Sequence, residues 1–285
     1  MELIVETSCK DKLYLDIVDG IILPLKDYAV ESIVSFSLDE IKEISRNNNI
    51  KVYVKINKNL LNEDIDKVRD ILVELDKLNI SGIFFYDLAI LQLKKELNLS
   101  VDLIWNQTHM VNNYKTCDYY FSRGVKYALL GKEITLEEIK EIIDKSKIDV
   151  MVEVVSKPSV AFSMRKLITN YNKDLGVDNN SDLIINEKIT DTNYVVKEDS
   201  NGTSFYLDII TNGTGIISEL YKGGCKYIIF REYGLEDIFN ELLVDTEKYI
   251  KGNCSDKNYI NKYKKLGDST NFFFKETIYR VKKNG

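Results

Sequence analysis

Polar side chains recur where short apolar runs of this sequence end, and several of them are carboxylates or amides. They are Glu6, Asn57, Asp87, Asn106, Gln107, Glu133, Glu153 and Arg231. Two carboxylates brought close together can divide general acid and base roles, because burial and mutual repulsion separate their pKa values. The same residue types also occur at ordinary strand-to-loop junctions. The pattern therefore predicts a ligand pocket only if the fold brings these residues to one place.

His109 is the single histidine of the chain. A Ser–His–Asp triad, a Cys–His dyad or a histidine-rich metal site would have to use it. None of the motifs G-x-S-x-G, H-E-x-x-H and C-x-x-C occurs. We expect His109 at the start of a helix after the fifth strand, as a ligand-binding residue. The alternative is a histidine that bonds only to the backbone of that helix.

A polar stretch in the second half of the chain could hold an anion. It contains two adjacent cations, an amide and a phenol: Arg165, Lys166, Asn170 and Tyr171. Such groups suit a carboxylate or a phosphate, and arginine offers a planar fork of donors. A solvated helix face explains the same residues equally well.

Strand-like runs alternate with helical patterns, which is typical of a parallel sheet in an α/β protein. Ser37 with Glu40, and Thr135 with Glu138, match the capping box that opens a helix. Eight such units favour a (β/α)8 barrel of the TIM type over an open sheet. The predicted strands are 2–6, 19–24, 51–57, 82–87, 101–106, 127–131, 149–155 and 226–231. In such a barrel all sites lie at the mouth formed by the carboxyl ends of the strands.

Two further runs, 193–198 and 204–210, are joined by turn-forming residues and predict a small hairpin insertion. We expect a barrel over 1–250 with an insertion at about 156–203. Residues 251–285 form a C-terminal tail that we expect to pack on the barrel.

Composition narrows the class of protein. The chain has 285 residues, 44% of them hydrophobic, so disorder throughout is excluded. Its net charge of −6 argues against a large nucleic-acid footprint, although a local basic site remains open. We expect no membrane segment and no signal peptide, and therefore a cytoplasmic protein. The four cysteines are scattered, which disfavours a disulfide framework and a zinc ribbon.

From Asp19 to about Tyr171 the sequence resembles the collagenase-like peptidase family U32, in a short form. The segments that carry the resemblance are DGIILPL, KVYVKIN, SGIFFYDLAILQLKKEL, NQTHMVNN, GVKYALLGKEITLEEI, VEVVSKPSVAFSMRKLITNY and EDSNGTSFYL. The family name implies proteolysis. Other branches resemble tRNA wobble-uridine hydroxylation factors and oxygen-independent hydroxylation proteins.

The sequence also departs from the family pattern. Many members carry an H-G-x-x-C block, and in some branches its cysteines hold an iron–sulfur cluster; here the block is Ser156–Val160 and the histidine and cysteines are missing. Lys132 replaces the arginine of the family's R-E pair. We therefore expect no iron–sulfur cluster and assign no residue to a metal. A divalent metal or a small carboxylate is the ligand that the site could still hold.

Three functions compete. The first is a tRNA-hydroxylation enzyme that binds a small anionic ligand at the mouth and has tRNA as a partner. The second is a peptidase or other hydrolase that binds a peptide, and the third is a non-catalytic paralogue or scaffold. We assign catalysis to Glu133, Glu153 and Asp87. We assign ligand binding to Asn57, Gln107, His109, Arg165 and Tyr171.

Overall fold

The computed structural model describes residues 1–46, 49–107, 110–177, 183–189 and 191–267. Its strands are β1 (Glu2–Glu6), β2 (Gly20–Pro24), β3 (Lys51–Ile56), β4 (Gly82–Phe85), β5 (Leu103–Trp105), β6 (Tyr127–Leu129), β7 (Asp149–Ser156), β8 (Ser159–Ser163), β9 (Leu183–Glu187), β10 (Thr192–Glu198), β11 (Thr203–Leu207), β12 (Thr211–Asn212) and β13 (Tyr227–Arg231). Strands β1 to β7 pair in parallel in chain order, and β13 lies between β7 and β1. The eight strands therefore close into the predicted (β/α)8 barrel.

Alternation along the strands divides the buried residues into two layers, because successive side chains of a strand point to opposite faces. Nine residues fill the interior of the barrel: Ile4, Ile22, Tyr53, Phe84, Ile104, Leu129, Met151, Tyr227 and Ile229. The residues between them in sequence, such as Leu3, Val54 and Ile228, pack outward against the helices in a second, larger core. The barrel is thus a packed body, and open space can exist only at its ends.

The helices are α1 (Leu38–Ile44), α2 (Ile65–Asp76), α3 (Leu88–Leu97), α4 (Tyr114–Phe121), α5 (Leu136–Lys145), α6 (Leu167–Leu175), α7 (Ile217–Lys222), α8 (Phe239–Ile250) and α9 (Asp256–Tyr263). Both predicted capping boxes are present: Ser37 caps α1 and Thr135 caps α5, each with the glutamate three residues later. These local signals position the loops that lead out of the mouth.

The insertion is larger than the predicted hairpin. The two strands of that hairpin, β10 and β11, are joined by β8 and β9 in an antiparallel sheet of order β8–β11–β10–β9, and α6 packs on β10. The hairpin alone could not bury an apolar face, and the added strands and helix supply that burial. Strand β8 leaves the barrel directly after β7, so the inserted sheet begins at the mouth.

Helices α8 and α9 pack against each other after the last barrel strand, with the rings of Tyr249 and Tyr259 stacked at 4.3 Å between centroids. Of the predicted C-terminal tail at 251–285, residues 268–285 lie outside the described residues. Within the described ranges, no helix combines the length and the apolar character needed to cross a bilayer.

Candidate functional site

The mouth of the barrel is charged because, in four strands, an inward-facing position near the mouth holds a charged residue, whereas the inward position before it belongs to the apolar interior. The inward residues Ile4, Tyr53, Met151 and Ile229 are each followed, two positions later, by a charged residue. These are Glu6, Lys55, Glu153 and Arg231. The alternation of side chains along these strands therefore directs the four charged side chains into the mouth.

Lys55 and Glu6 form the deepest ion pair of this group. The Lys55 ammonium lies 3.2 Å from both carboxylate oxygens of Glu6, and the two side chains are 2% and 6% exposed. Ser32 bridges them: it accepts a hydrogen bond of 2.8 Å from Lys55 and donates one of 2.9 Å to Glu6. All three groups are therefore paired, as buried charges must be to persist.

Arg231 connects this pair to Glu153. Its Nη1 atom lies 3.6 Å from Glu6, and its Nε atom lies 2.7 Å from Oε2 of Glu153, as a charge contact without an aligned hydrogen bond. The other oxygen of Glu153 contacts the ammonium of Lys132 at 2.8 Å and accepts a hydrogen bond of 2.5 Å from Ser156. We call Glu6, Lys55, Lys132, Glu153 and Arg231 the ionic network.

The network keeps its carboxylates ionised. Burial alone would raise the pKa of Glu153, but the charges of Arg231 and Lys132 outweigh it and lower the pKa to about 2. At Glu6 burial would also raise the pKa, but the charges of Arg231 and Lys55 outweigh this effect, and the pKa is lowered. At Lys55 burial dominates and lowers the pKa to about 8. Neither carboxyl has the raised pKa that a general acid needs near neutral pH.

The opposite half of the mouth is lined mainly by amide and aromatic side chains. There a cavity of about 340 Å³ lies under strand β8, at the ends of β3, β4 and β5. Its wall includes Asn57, Tyr86 and Asn106, each just beyond one of these strands, and Phe162 from β8. Amides and aromatic rings around a concave space are typical of a small-ligand site. We call this cavity, with Asn57 and Asn106, the amide half.

Glu31 lies between the two halves. It lines the cavity, and its carboxylate accepts a hydrogen bond of 2.5 Å from Ser159 at the start of the inserted sheet. Its carbonyl oxygen accepts from Lys55 at 3.3 Å and from Arg231 at 3.4 Å. The backbone has φ of 56°, which is strained for a residue with a Cβ. The two cations bind the Glu31 carbonyl and thereby stabilise this backbone conformation.

Two predicted site residues connect loops around the cavity. The Asp87 carboxylate accepts from the N–H of Ala89, capping α3, and from the N–H of Leu60 at 3.0 Å. Gln107 donates to the carbonyl of Tyr86 at 2.7 Å and accepts from the Trp105 indole at 3.0 Å. These bonds position the loops, and the catalytic role of Asp87 and the binding role of Gln107 stay predictions.

The remaining predicted residues are spread more widely. Glu133 is half-buried in the loop before α5, where its neighbour Lys132 forms the ion pair with Glu153. Arg165 and Tyr171 are exposed on the inserted unit, before and within α6. His109 lies outside the described residues. The structure thus brings Glu153 and Asn57 to the mouth and places Arg165 and Tyr171 on the surface of the insertion.

Lys55 and Glu31 are absent from the sequence-based site. Lys55 could have been found from the run KVYVKIN, where Lys51, Tyr53 and Lys55 share one face of the strand. No local pattern marks Glu31, because its role depends on two cations distant in sequence.

The four cysteines are free thiols, and two of them, Cys117 and Cys225, are buried. Burial raises the pKa of the Cys117 thiol to about 12 and that of Cys225 to about 11. Among the described residues, no group of three or more acidic, cysteine or histidine side chains could hold a metal ion. The predicted lack of a cluster stays a prediction.

These features define a (β/α)8 barrel protein whose mouth combines an ionic network with an amide-lined cavity. Residues 9–182 match the model of peptidase family U32. That match spans more than half of the chain, and the protein belongs to this family.

Curated relatives include tRNA hydroxylation protein P2 of Bacillus subtilis (strain 168), 25% identical over 83% of this chain and 84% of its own length. An uncharacterized protease of Methanocaldococcus jannaschii, MJ0090, is 32% identical over 48% of this chain, and tRNA hydroxylation protein P1 of Bacillus subtilis is 24% identical over 54%. The matches cover only 35% and 37% of those two proteins.

Solved structures similar to the chain include the U32 peptidase Mk0906, with a TM-score of 0.44 and 13% identity over 61% of this chain and 75% of that one. A tryptophan synthase from Pyrococcus furiosus has a TM-score of 0.48 and 12% identity over 88% and 97%.

Proposed function

We propose that the protein takes part in tRNA hydroxylation and that its mouth receives two ligands, one on each half. The observation that carries the proposal is the match to tRNA hydroxylation protein P2, which extends over most of both chains. The cytoplasm is the compartment we expect for this activity.

The ionic half is where we propose that a small carboxylate binds. Arg231 and Lys132 keep 13% and 18% of their side chains exposed, whereas Lys55 keeps 2%. A carboxylate could therefore contact Arg231 and Lys132 without displacing the buried pair of Lys55 and Glu6. The guanidinium offers paired donors to such a ligand.

The peptidase alternative is less well supported by the electrostatics. A pair of carboxyl groups that hydrolyses a peptide needs one member to stay protonated near neutral pH. Among the carboxylates that the sequence assigns to catalysis, Glu153 has a pKa of about 2, because Arg231 and Lys132 contact it. Its neighbour Glu6, which has no assigned catalytic role, also has a lowered pKa. These two residues are therefore suited to hold cations in place.

Deletion of the gene, followed by mass spectrometry of tRNA nucleosides, tests the proposal. We expect hydroxylated uridine to fall, to return with the wild-type gene and to return only in part with Arg231→Gln. Arg69→Gln is the matched control, because Arg69 is 38% exposed and pairs only at the surface with Glu96. Unchanged hydroxyuridine in the deletion strain would refute the proposal.

A further inference from the structure

The inserted sheet covers the mouth without joining the sheet of the barrel. Among the described residues, β8 to β11 pair only with one another, whereas the barrel strands form a separate sheet. The chain enters the inserted sheet through Lys157 and Pro158 and leaves it through 208–210. An ion pair of 2.7 Å between Lys157 and Asp208 holds the two connections side by side. Two short, adjacent connections between two bodies are the arrangement of a hinge.

Two cavities lie between the barrel and the inserted sheet. The cavity of about 340 Å³ has Val30 and Asn57 on the barrel side and Phe162 of β8 on the other. A second cavity, of about 240 Å³, lies between the loop that follows β2 and strand β11, and its walls include Ser32 and Tyr206. Each cavity has walls on both bodies, so movement of the inserted sheet away from the barrel would open both.

The loop between β2 and α1 holds the inserted sheet by single hydrogen bonds. Asn201, in the turn between β10 and β11, donates from Nδ2 to the carbonyl of Ala29 at 2.9 Å. Ser159, at the start of β8, donates to the carboxylate of Glu31 at 2.5 Å. We call these four residues the latch. One hydrogen bond changes an equilibrium constant only about two- to twelvefold, so the latch can open without unfolding of either body.

Glu31 joins the latch to the ionic network. Its carbonyl accepts from Lys55 and Arg231, whereas its carboxylate accepts from Ser159 of the inserted sheet. Tyr206 of β11 also reaches this region: burial raises the pKa of its hydroxyl, and the nearby charge of Glu31 adds to the effect. The position of the inserted sheet is therefore linked to the charged half of the mouth through a single strained residue.

We propose that the inserted sheet is a lid, which turns about 157–158 and 208–210 to admit a ligand and is closed by the latch. The structure shows the closed state, in which Arg231 and Lys132 keep only 13% and 18% of their side chains exposed. Closure of such a lid removes water from the mouth and encloses the ligand. The inference goes beyond the proposed function, because it concerns access to the mouth whatever the reaction is.

Thiol labelling tests access to the cavity under β8. Val30 lines this cavity and is 5% exposed, so Val30→Cys places a protected thiol on its barrel side. Pulses of N-ethylmaleimide, followed by peptide mass spectrometry, measure the labelling rate of each cysteine separately. Asn201→Ala and Ser159→Ala each remove one hydrogen bond of the latch. We expect either change to raise the labelling rate of the introduced thiol about fivefold.

The chain supplies two controls. Asn186→Ala is the matched substitution, because the Asn186 amide bonds to Asp191 and Asn193 within the same inserted unit, and it should leave the rate unchanged. Cys117 and Cys225 are buried in the core between the barrel and its helices. Their labelling should stay slow in every variant, which separates opening of the lid from unfolding of the barrel.

Equal labelling of the introduced thiol with and without the latch substitutions would overturn the inference, because the cavity would then be reached without movement of the sheet. A parallel rise at Cys117 and Cys225 would assign access to unfolding and would overturn it as well. If both latch variants fail to fold, the Val30→Cys chain alone decides. There the introduced thiol should react faster than Cys117 and Cys225, and equal rates would refute the lid. The nucleoside analysis tests the proposed function separately.

Discussion

Glu153 and Arg231 lie on the neighbouring barrel strands β7 and β13, with Oε2 and Nε 2.7 Å apart. The same arginine lies 3.6 Å from Glu6 on its other side, so one guanidinium joins the two carboxylates of the mouth. This contact places one cation between two buried carboxylates at the mouth.

Replacing Glu153 by Gln should lower the free energy of unfolding by about 3 kcal/mol, because two buried cations lose their carboxylate. Urea denaturation measures the loss. The control is Glu247→Gln, which removes a surface pair with Lys251 and should cost less than about 1 kcal/mol. Equal costs for the two variants would show that the network does not stabilise the barrel.

Acid should remove the contribution of Glu153. Its pKa is about 2 in the folded chain and has an ordinary value of 4.5, so its contribution to stability is fully present above pH 4.5. That contribution is lost as the pH falls toward 2. The difference in unfolding free energy between the wild type and Glu153→Gln should therefore shrink across this range. A difference that is constant from pH 4.5 downward would contradict the depressed pKa.

The pair of Glu6 and Lys55 should be strongly coupled, and the chain contains a matched control. Lys55→Met and Glu6→Gln should each cost about 3 kcal/mol, and the double variant should cost clearly less than their sum. Glu2 and Lys51 lie on the same two strands at the other end of the barrel and are 32% and 44% exposed. A double-mutant cycle there should give a coupling below about 1 kcal/mol. Similar coupling energies for the Glu6–Lys55 and Glu2–Lys51 pairs would show that burial does not strengthen the pair at the mouth.

Asp87 can be tested for catalysis separately from capping. Asparagine keeps one side-chain oxygen, which can still accept from Ala89, but its amide nitrogen cannot accept from Leu60; Asp87→Asn should therefore lose less stability than Asp87→Ala, which should lose about 1 kcal/mol or more. If Asp87 only positions loops, Asp87→Asn should also retain tRNA hydroxylation in cells. If it is the catalytic carboxylate that the sequence predicts, Asp87→Asn should lose hydroxyuridine although it is more stable than Asp87→Ala.

The sequence by itself determined the elements of this fold. Capping boxes at Ser37 and Thr135 and the period-two runs of apolar residues are local signals, and local geometry alone decides them. They were sufficient to predict the barrel and to place Glu153 and Asn57 at its mouth. The four-stranded insertion was predicted only as a hairpin, because β8 acquires its pairing from β11, which follows it only after α6, β9 and β10. Strand β9 pairs with the next strand, β10, and was missed in the sequence.

Only the tertiary structure decided what each side chain at the mouth does. Lys55 meets Glu6 across 49 positions of sequence, and Arg231 reaches the carbonyl of Glu31 across 200. Asp87 has the residue type of a catalyst, yet its oxygens accept from two backbone N–H groups of the loops beside it. Residue type limits the chemistry that a position can perform, whereas ionisation and pairing depend on burial and on neighbours within a few ångströms. The closure of the barrel sets both the burial of each side chain and its close neighbours.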